Sequence, residues 1–174
     1  TFQVLNGDNE LFASPDGDDL AYVGRWKNLW DLDESTTLEL GGSFAAGRNA
    51  HGRWTRLFGG DLTIKWRPTR RERARGLTIQ TEYVGARMDD GGEVESVGGL
   101  YALVQIQVDR RWWLQARYDV FGLPRLEPHQ EHRFSGLLAY APSEFSSIRL
   151  QYNLNREGEE RVHQLVLQLN FTMG

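Results

Sequence analysis

The stretch of sequence that decides the fold is residues 100–120, LYALVQIQVDRRWWLQARYDV. From Leu100 to Val108 every second side chain is apolar, and Tyr and Gln occupy positions between them. From Trp112 to Val120 the same alternation returns, with Gln, Arg and Asp at intervening positions. Because successive side chains of a strand point to opposite faces, each segment has one apolar and one polar side. Only Asp109 to Arg111 separates the two segments, so the sequence predicts a β-hairpin.

The same alternation continues along most of the chain and predicts nine strands. They are expected near residues 19–32, 36–47, 56–67, 76–88, 98–109, 111–121, 132–142, 145–155 and 162–173. The pattern is weakest from Phe134 to Ala141, where apolar residues fall on both faces, and Val166 interrupts the polar side of the last strand. Strands of globular proteins usually have about five or six residues, whereas a tilted strand that crosses a bilayer needs roughly nine to eleven. The length of these strands therefore favours a membrane.

The connections between the strands give a second indication. Short links are expected at 33–35, 109–111 and 142–144, and longer polar loops at 48–55, 89–97, 122–131 and 156–161. Outer-membrane barrels have short turns on the periplasmic side and longer loops outside, so this alternation is typical of them. The link 68–75 is an exception, because a link at this position in the alternation should be short.

These patterns predict an all-β fold: an antiparallel up-and-down transmembrane β-barrel, with about nine to ten strands of a larger barrel. Residues 1–174 are expected to form a single barrel domain that is a fragment of a longer chain. Residues 1–18 are expected to be a truncated strand, Thr1 to Leu5, followed by an external loop, and residues 19–174 the nine strands. The N-terminus lacks a basic region followed by an apolar one, so no secretory signal is expected in this sequence.

The composition excludes several classes of protein. The chain has 20 Lys and Arg, 24 Asp and Glu, no Cys and a formal charge of −4. Without Cys there is no disulfide or thiolate zinc site, and a mildly acidic balance argues against a nucleic-acid binder. No stretch approaches the roughly 18 apolar residues of a membrane helix. The mean hydropathy of −0.54 still allows a membrane barrel, because barrel strands alternate apolar and polar residues.

The polar sides of the predicted strands carry charged and amide side chains. A charge on the lipid face of a barrel costs roughly 2 to 4 kcal/mol near the bilayer midplane, so these residues are expected to face the lumen. Five are basic and four acidic, which predicts little selectivity by charge. The alternative is a lattice of cross-strand salt bridges that plugs or stiffens the wall. The predicted pore-lining residues are Arg25, Lys27, Glu39, Asp61, Lys65, Glu82, Gln105, Gln107, Arg117, Asp119, Arg149, Gln151 and Gln168.

Aromatic residues are expected near strand ends more than at strand centres. Amphipathic rings lie favourably at the level of the lipid headgroups, which predicts a membrane girdle. Trp112 and Trp113, beside a short turn, favour this over ordinary core aromatics. The predicted girdle residues are Trp26, Trp30, Trp66, Trp112, Tyr118, Tyr152 and Phe171.

Three other clusters of polar residues give weaker indications of a functional site. Arg70, Arg71, Arg73 and Arg75 lie in one link, but a solvated turn containing Glu72 is the more common explanation. His129 and His132 are three residues apart in a Pro-containing loop, where a surface loop is favoured over a metal site. Ser143 and Glu144 are interpreted as turn residues, since no His accompanies them in a catalytic motif. No catalytic residue, cofactor or metal is therefore expected, and the protein is predicted not to be an enzyme.

Five segments together resemble the C-terminal half of porin-like outer-membrane proteins of Gram-negative bacteria. They are DLAYVGRWKNLWDLDESTTLELGGSFAAG, LFGGDLTIKWRP, RRWWLQARYDVFGLP, PSEFSSIRLQYN and HQLVLQLNFTMG, which span most of the chain from Asp19. The chain is similar to phosphate-selective and carbohydrate porins. This resemblance implies a water-filled barrel in the bacterial outer membrane for passive uptake of small hydrophilic solutes. It also implies contact with outer-membrane lipid and lipopolysaccharide, and a possible homotrimer or membrane-protein partner. Such barrels normally finish on an aromatic residue, whereas this chain stops at Met173 and Gly174.

Two alternatives remain open from the sequence. One is a plugged structural or receptor barrel in the same membrane, which the charged lumen permits equally. The other is a soluble lipocalin-like barrel that binds an apolar ligand. In a lipocalin the apolar side chains point inward, which is the inverse of the membrane arrangement.

Overall fold

The computed structural model describes residues 1–7, 11–12, 19–68, 75–89, 91–92, 94–124 and 130–171. It contains ten strands: β1 Phe2–Asn6, β2 Leu20–Asp31, β3 Thr36–Arg48, β4 Trp54–Trp66, β5 Gly76–Asp89, β6 Val94–Asp109, β7 Trp112–Leu123, β8 Glu131–Ser143, β9 Ser146–Glu157 and β10 Glu160–Phe171. The described ranges contain no helix. The nine predicted strands are therefore present as β2 to β10, and the predicted N-terminal stub is β1.

The ten strands form one sheet in the order β1 to β10, and each strand is antiparallel to the next. This is the predicted all-β, up-and-down arrangement. Within the described residues β1 and β10 pair on one side only, so the sheet has two edges. Among the residues that the structure describes, none belongs to a helix long and apolar enough to cross a membrane.

The connections follow the predicted alternation only in part. One end of the sheet, the turn end, carries the links 32–35, 67–75, 110–111 and 144–145, and the other, the loop end, carries 7–19, 49–53, 90–93, 124–130 and 158–159. The nine-residue link between β4 and β5 breaks the rule, as the sequence indicated. The predicted long loops at 89–97 and 156–161 are wrong, because β6 begins at Val94 and leaves only the link 90–93, and β10 begins at Glu160. Only Gly158 and Glu159 separate β9 from β10, because Gly158 has a positive φ of 58° and allows a tight turn.

The pairing register divides the side chains between two faces. Directly opposite residues share a face, so one row of partners can be followed across the sheet. The row Trp30, Leu38, Ile64, Ile79, Val104, Ala116, Gly136, Tyr152 and Leu165 is apolar throughout. We call its side of the sheet the apolar face. The neighbouring row Glu39, Thr63, Gln80, Leu103, Arg117, Ser135, Asn153 and Gln164 lies on the other side, the polar face.

The polar face is the more shielded of the two. The buried polar side chains among the described residues, Thr55, Thr63, Ser135 and Asn153, all lie on it. On the apolar face, by contrast, Leu165 is 70% exposed and Phe44 is 48% exposed. A flat sheet would expose both faces alike, so we infer that the sheet curves with its polar face on the concave side. This exposure is the reverse of the hydrophobic burial expected of a soluble protein.

Two glycines of the apolar face lie beneath aromatic rings of neighbouring strands. Phe44 covers Gly24, its direct partner, and Phe58 covers Gly85, also its direct partner. A Cβ atom at Gly85 would lie 2.7 Å from Cζ of Phe58. Rings laid over cross-strand glycines cover backbone that would otherwise be exposed and help to fix the register.

The turn between β2 and β3 supplies a pH-dependent contact. The backbone N–H and the hydroxyl of Ser35 each donate a hydrogen bond of 2.7 Å to Oδ1 of Asp33. These bonds, from the Ser35 hydroxyl first, favour the charged carboxylate and lower the pKa of Asp33 below its usual 3.8. A depressed pKa means that the contribution to stability is present above the unfolded pKa and is lost as the pH falls through the folded pKa.

We therefore expect the Asp33 carboxyl to titrate below pH 3.8 in an NMR titration of the folded protein. Ser35→Ala should move the midpoint up towards that value, because the hydroxyl bond is lost. Ser147→Ala, on β9, should leave it unchanged. An Asp33 midpoint that is insensitive to Ser35→Ala would contradict this explanation of the turn.

Candidate pore-lining face

The structure brings all the predicted pore-lining residues to the polar face. The register places Asp61 opposite Glu82, Glu82 opposite Tyr101, and Tyr101 opposite Asp119. The rest of the set occupies the same side of its strands: Arg25, Lys27, Glu39, Lys65, Gln105, Gln107, Arg117, Arg149, Gln151 and Gln168. Their common face follows from the register, whereas their role in lining a passage stays a prediction.

One ion pair on this face crosses an intervening strand. Nη2 of Arg25 on β2 lies 2.5 Å from Oδ1 of Asp61 on β4, with β3 between them. Gly41 of β3 is the direct partner of Asp61 and lies beneath its carboxylate. Because Gly41 has no side chain, the Asp61 carboxylate can extend over β3 towards Arg25. The Asp61 side chain is only 11% exposed, so it depends on this partner rather than on water.

A second ion pair lies nearer the turn end. Nζ of Lys27 is 2.8 Å from Oε1 of Glu39, and the two side chains are 51% and 23% exposed. Exposed pairs of this kind contribute little stability, about 0–1 kcal/mol, because water and salt screen them. The pair instead affects the electrostatic potential of the polar face, because the charges of Lys27 and Glu39 cancel each other.

A third cluster joins β6 and β7. Nη2 of Arg117 lies 2.6 Å from Oδ1 of Asp119, and Nε also donates to that carboxylate. The same guanidinium carbon lies 4.2 Å from the centre of the Tyr101 ring, which is a cation–π distance. Tyr101 was not among the predicted lining residues. Its position in the period-2 pattern placed it on the wet side, which was the signal that could have identified it.

Amide side chains continue the polar face towards β10. Nε2 of Gln151 donates to Oδ1 of Asn153 at 2.8 Å, and Nδ2 of Asn153 donates to Oε1 of Gln164 at 3.2 Å. Nε of Arg133 donates to Oδ1 of Asn155 at 2.6 Å. Arg133, Asn153, Asn155 and Gln164 are further polar-face residues outside the predicted lining set, although the period-2 pattern had placed Asn153 and Gln164 on the polar sides of their strands.

The loop end of the polar face is less polar than the sequence indicated. A concavity of about 740 Å³ there is lined by Val84, Val97 and Phe121 together with Glu82 and Arg133. At the loop end of β3, Phe12 from the link between β1 and β2 lies over Gly47 and is 7% exposed. Part of this link therefore folds onto the polar face instead of extending away from it.

All seven predicted girdle residues lie on the apolar face. Trp30, Trp66, Trp112 and Phe171 are at or near the turn end of their strands, as predicted. Trp26, Tyr118 and Tyr152 lie in the middle of theirs, so the expectation of strand ends is wrong for these three. The register also staggers the strands, because the row of partners that begins at Trp30, near the end of β2, reaches Tyr152 in the middle of β9. Tilted barrel strands require such a stagger.

The tyrosine hydroxyls in mid-strand have partners on the apolar face. Tyr118 bonds to Nδ1 of His132, and Tyr152 bonds to Nδ1 of His163, at 2.7 Å in each case. The rings of each pair also lie about 6 Å apart. These contacts satisfy polar groups in the middle of a largely apolar face.

The remaining candidates form no metal-binding cluster in the described part of the chain. Arg70, Arg71, Arg73 and His129 lie outside the described residues. Among those described, no group of three or more His, Asp or Glu side chains is placed to hold a metal ion. Ser143 belongs to the tight turn before β9, where its Oγ accepts a bond from the Phe145 N–H at 3.3 Å. This agrees with its interpretation as a turn residue.

No family model matches the chain, and no solved structure matches it. A curated protein of Aquifex aeolicus (strain VF5), described as "Uncharacterized protein", is 28% identical over 218 aligned positions. The alignment covers 99% of this chain and 46% of that protein. The chain thus spans about half the length of the relative it matches, and it is similar to part of a longer bacterial protein whose description names no activity.

Proposed function

We propose that the sheet is part of the wall of an outer-membrane barrel, with its apolar face towards lipid and its polar face towards a hydrated passage for small hydrophilic solutes. The observation that supports this most directly is the division of side chains by the register. The exposed, convex face is apolar, and the shielded, concave face carries three ion pairs. In water this arrangement would leave large hydrophobic side chains without cover, whereas in a bilayer it satisfies both faces.

The dimensions support the same proposal. Strands β2 to β10 have 12 to 16 residues. At about 3.3 Å per residue the shortest is about 40 Å long, and a tilt of about 40° leaves a height of about 30 Å. The apolar band of outer-membrane barrels is about 25 Å tall. Trp30, Trp66 and Trp112 border this band at the turn end, where headgroups favour amphipathic rings.

The two unpaired edges of the sheet bear on the size of the proposed barrel. In hydrocarbon every backbone N–H and C=O group needs a partner within the protein, so an open sheet edge is unstable there. β1 and β10 each present such an edge. We therefore propose that further strands pair with both edges and close the wall. The greater length of the Aquifex aeolicus relative is consistent with a larger barrel.

The charges on the polar face predict a passage with weak ion selectivity. Three cations, Arg25, Lys27 and Arg117, each have a carboxylate within 2.8 Å. Ion pairs whose charges cancel keep the polar face hydrophilic without creating a strong electric field of either sign. Passive diffusion through a porin-like passage requires no stronger field than this.

A plugged barrel is the second candidate, and two observations favour it. Many polar side chains are engaged with one another, and Phe12 lies on the polar face near the loop end. For the soluble lipocalin-like alternative, the exposure of the apolar face is the wrong way round.

Asp61→Asn provides the test in planar bilayers with the full-length protein. Wild type should give stepwise conductance with a reversal potential near zero across a salt gradient. In Asp61→Asn the guanidinium of Arg25 loses its carboxylate partner, so the reversal potential should shift towards anion selectivity. Asp109→Asn, next to the β6–β7 turn, is the charge-matched control and should behave like wild type. Protein that inserts without any conductance steps would contradict an open passage and favour the plugged barrel.

A further inference from the structure

Four arginines gather at the loop end of β3, β4 and β5. Arg56 and Arg87 are direct cross-strand partners on the apolar face, and Arg48 is the partner of Trp54 one step further towards the loops. Arg53 precedes β4 in the adjoining link. All four side chains are exposed, and together they line a depression of about 340 Å³ in which Asp89 is the acidic member.

The charge of this cluster is only partly balanced. Arg48 has an acidic partner, Asp19, at 3.5 Å, and it also donates to the carbonyl of Gly52 at 2.8 Å. Arg53, Arg56 and Arg87 take part in no ion pair among the described residues. Like charges placed directly opposite each other destabilise a sheet. The pairing of Arg56 with Arg87 therefore has a cost that a bound anion would remove.

The backbone around the cluster is held in place. The side chain of Asn49 accepts bonds from the N–H groups of His51 and Arg53 at 3.1 and 3.0 Å. Its Nδ2 donates to the carbonyl of Asp89 at 2.8 Å, which ties the β3–β4 link to the end of β5. The arginines thus project from a braced scaffold, so an anion would find them already assembled.

The position of the cluster indicates which anion fits. Arg56 and Arg87 lie on the apolar face, two residues along their strands from Phe58 and Gly85. Planar guanidinium groups bind phosphate by paired hydrogen bonds, which suits them to a phosphate monoester. An anion at this border would have hydrocarbon-facing side chains directly below it and solvent above. Trp54, on the same face, has the amphipathic ring favoured at headgroup level.

We propose that Arg53, Arg56 and Arg87 bind the phosphate group of a membrane lipid whose acyl chains lie along the apolar face below them. This inference rests on the proposed function, because it needs lipid on that face. The group recognised is a terminal phosphate, which either a lipid phosphate monoester or free inorganic phosphate can supply, and the test distinguishes the two sources.

The test uses the full-length protein in neutral detergent, with a diphosphorylated hexa-acyl glucosamine disaccharide and inorganic phosphate as probes. Wild type should bind the lipid and gain thermal stability from it. The double variant Arg56→Gln/Arg87→Gln should bind the lipid at least tenfold more weakly and lose that gain. Its stability without lipid should be equal to or above that of wild type, since a like-charge pair is removed. Arg110→Gln/Arg111→Gln, at the turn end, is the charge-matched control and should bind as wild type does.

Two outcomes would overturn the inference: equal lipid binding by wild type and Arg56→Gln/Arg87→Gln, or inorganic phosphate binding as tightly as the lipid and displacing it. Bilayer conductance of the same variant separates this inference from the proposed function. The variant should conduct as wild type does even though lipid binding is weakened. If wild type binds the lipid but shows no conductance steps, the proposed hydrated passage is contradicted and the lipid-binding inference is not.

Discussion

Val104→Arg is expected to destabilise the protein in a bilayer by about 2–4 kcal/mol, because in the proposed orientation it places an arginine on the lipid face near the midplane. Val104 lies on the apolar face, with Ile79 and Ala116 as its direct partners. Val104 is 38% exposed, and contact between an apolar side chain and water is unfavourable. Urea titration of the protein folded into lipid vesicles measures the loss as a lower midpoint at unchanged slope.

Gln105→Arg is the matched control, because it introduces the same side chain one residue along the same strand. Gln105 lies on the polar face between Thr78 and Gln115. A guanidinium there remains among polar neighbours, so we expect a change within about 0.5 kcal/mol, as for ordinary surface substitutions. The two variants differ only in the face on which the charge lies.

The comparison distinguishes the membrane arrangement from the soluble one. In a soluble barrel the apolar face would be on the inside, so Val104 would point into a core. Such a protein would also remain in solution without detergent. If Gln105→Arg proves the more damaging substitution, or if both variants unfold at the wild-type urea concentration, the proposed orientation of the sheet is wrong.

The elements that the sequence predicted well are those in which one signal repeats. The hairpin of residues 100–120 is present as the end of β6 and β7, with Ile106 opposite Leu114 and Val104 opposite Ala116. A period of two assigns each side chain to a face as soon as the strand is recognised, and a one-residue slip would reverse every assignment. This is why the predicted lining residues occupy one face even though no contact between them could be foreseen.

The sequence was less informative where turn geometry or distant register decides the structure. The charged segment around Arg156 to Arg161 looked like a loop, because polar residues at strand ends resemble loop residues until the tight turn at Gly158 is seen. β8 has Leu137 and Ala139 on the polar face, which explains its mixed pattern. A single sequence contains no signal for such placements.

The ion pair between Arg25 and Asp61 shows the same limit most clearly. It depends on the registers of three strands and on the missing side chain of Gly41 between them. Period-2 alternation places both charged residues on the polar face but cannot show that they meet. The glycine is therefore the position at which the pairing can be tested.

Gly41→Ala is expected to destabilise the protein by about 1–3 kcal/mol, the range for overpacking a filled site. A Cβ atom at Gly41 would overlap the Asp61 carboxylate, so the carboxylate must leave its position beside Arg25. Since the Arg25 side chain is 46% exposed, screening limits the ion pair itself to about 1 kcal/mol at most. Most of the loss should come from displacing a shielded carboxylate whose other neighbour, Glu82, is also acidic.

Gly42→Ala is the matched control, one residue along β3 on the apolar face, where the nearest atom to a new Cβ is the Gly59 carbonyl oxygen at 3.9 Å. We expect it to change stability by less than about 0.5 kcal/mol. An Arg25→Gln background completes a double-mutant cycle: with the ion pair already absent, Gly41→Ala should cost less than it does in wild type. Urea titration in vesicles measures all four proteins of the cycle. An equal cost in both backgrounds would mean that Gly41 does not act through Arg25 and Asp61, because a glycine required only for backbone conformation would be insensitive to the arginine.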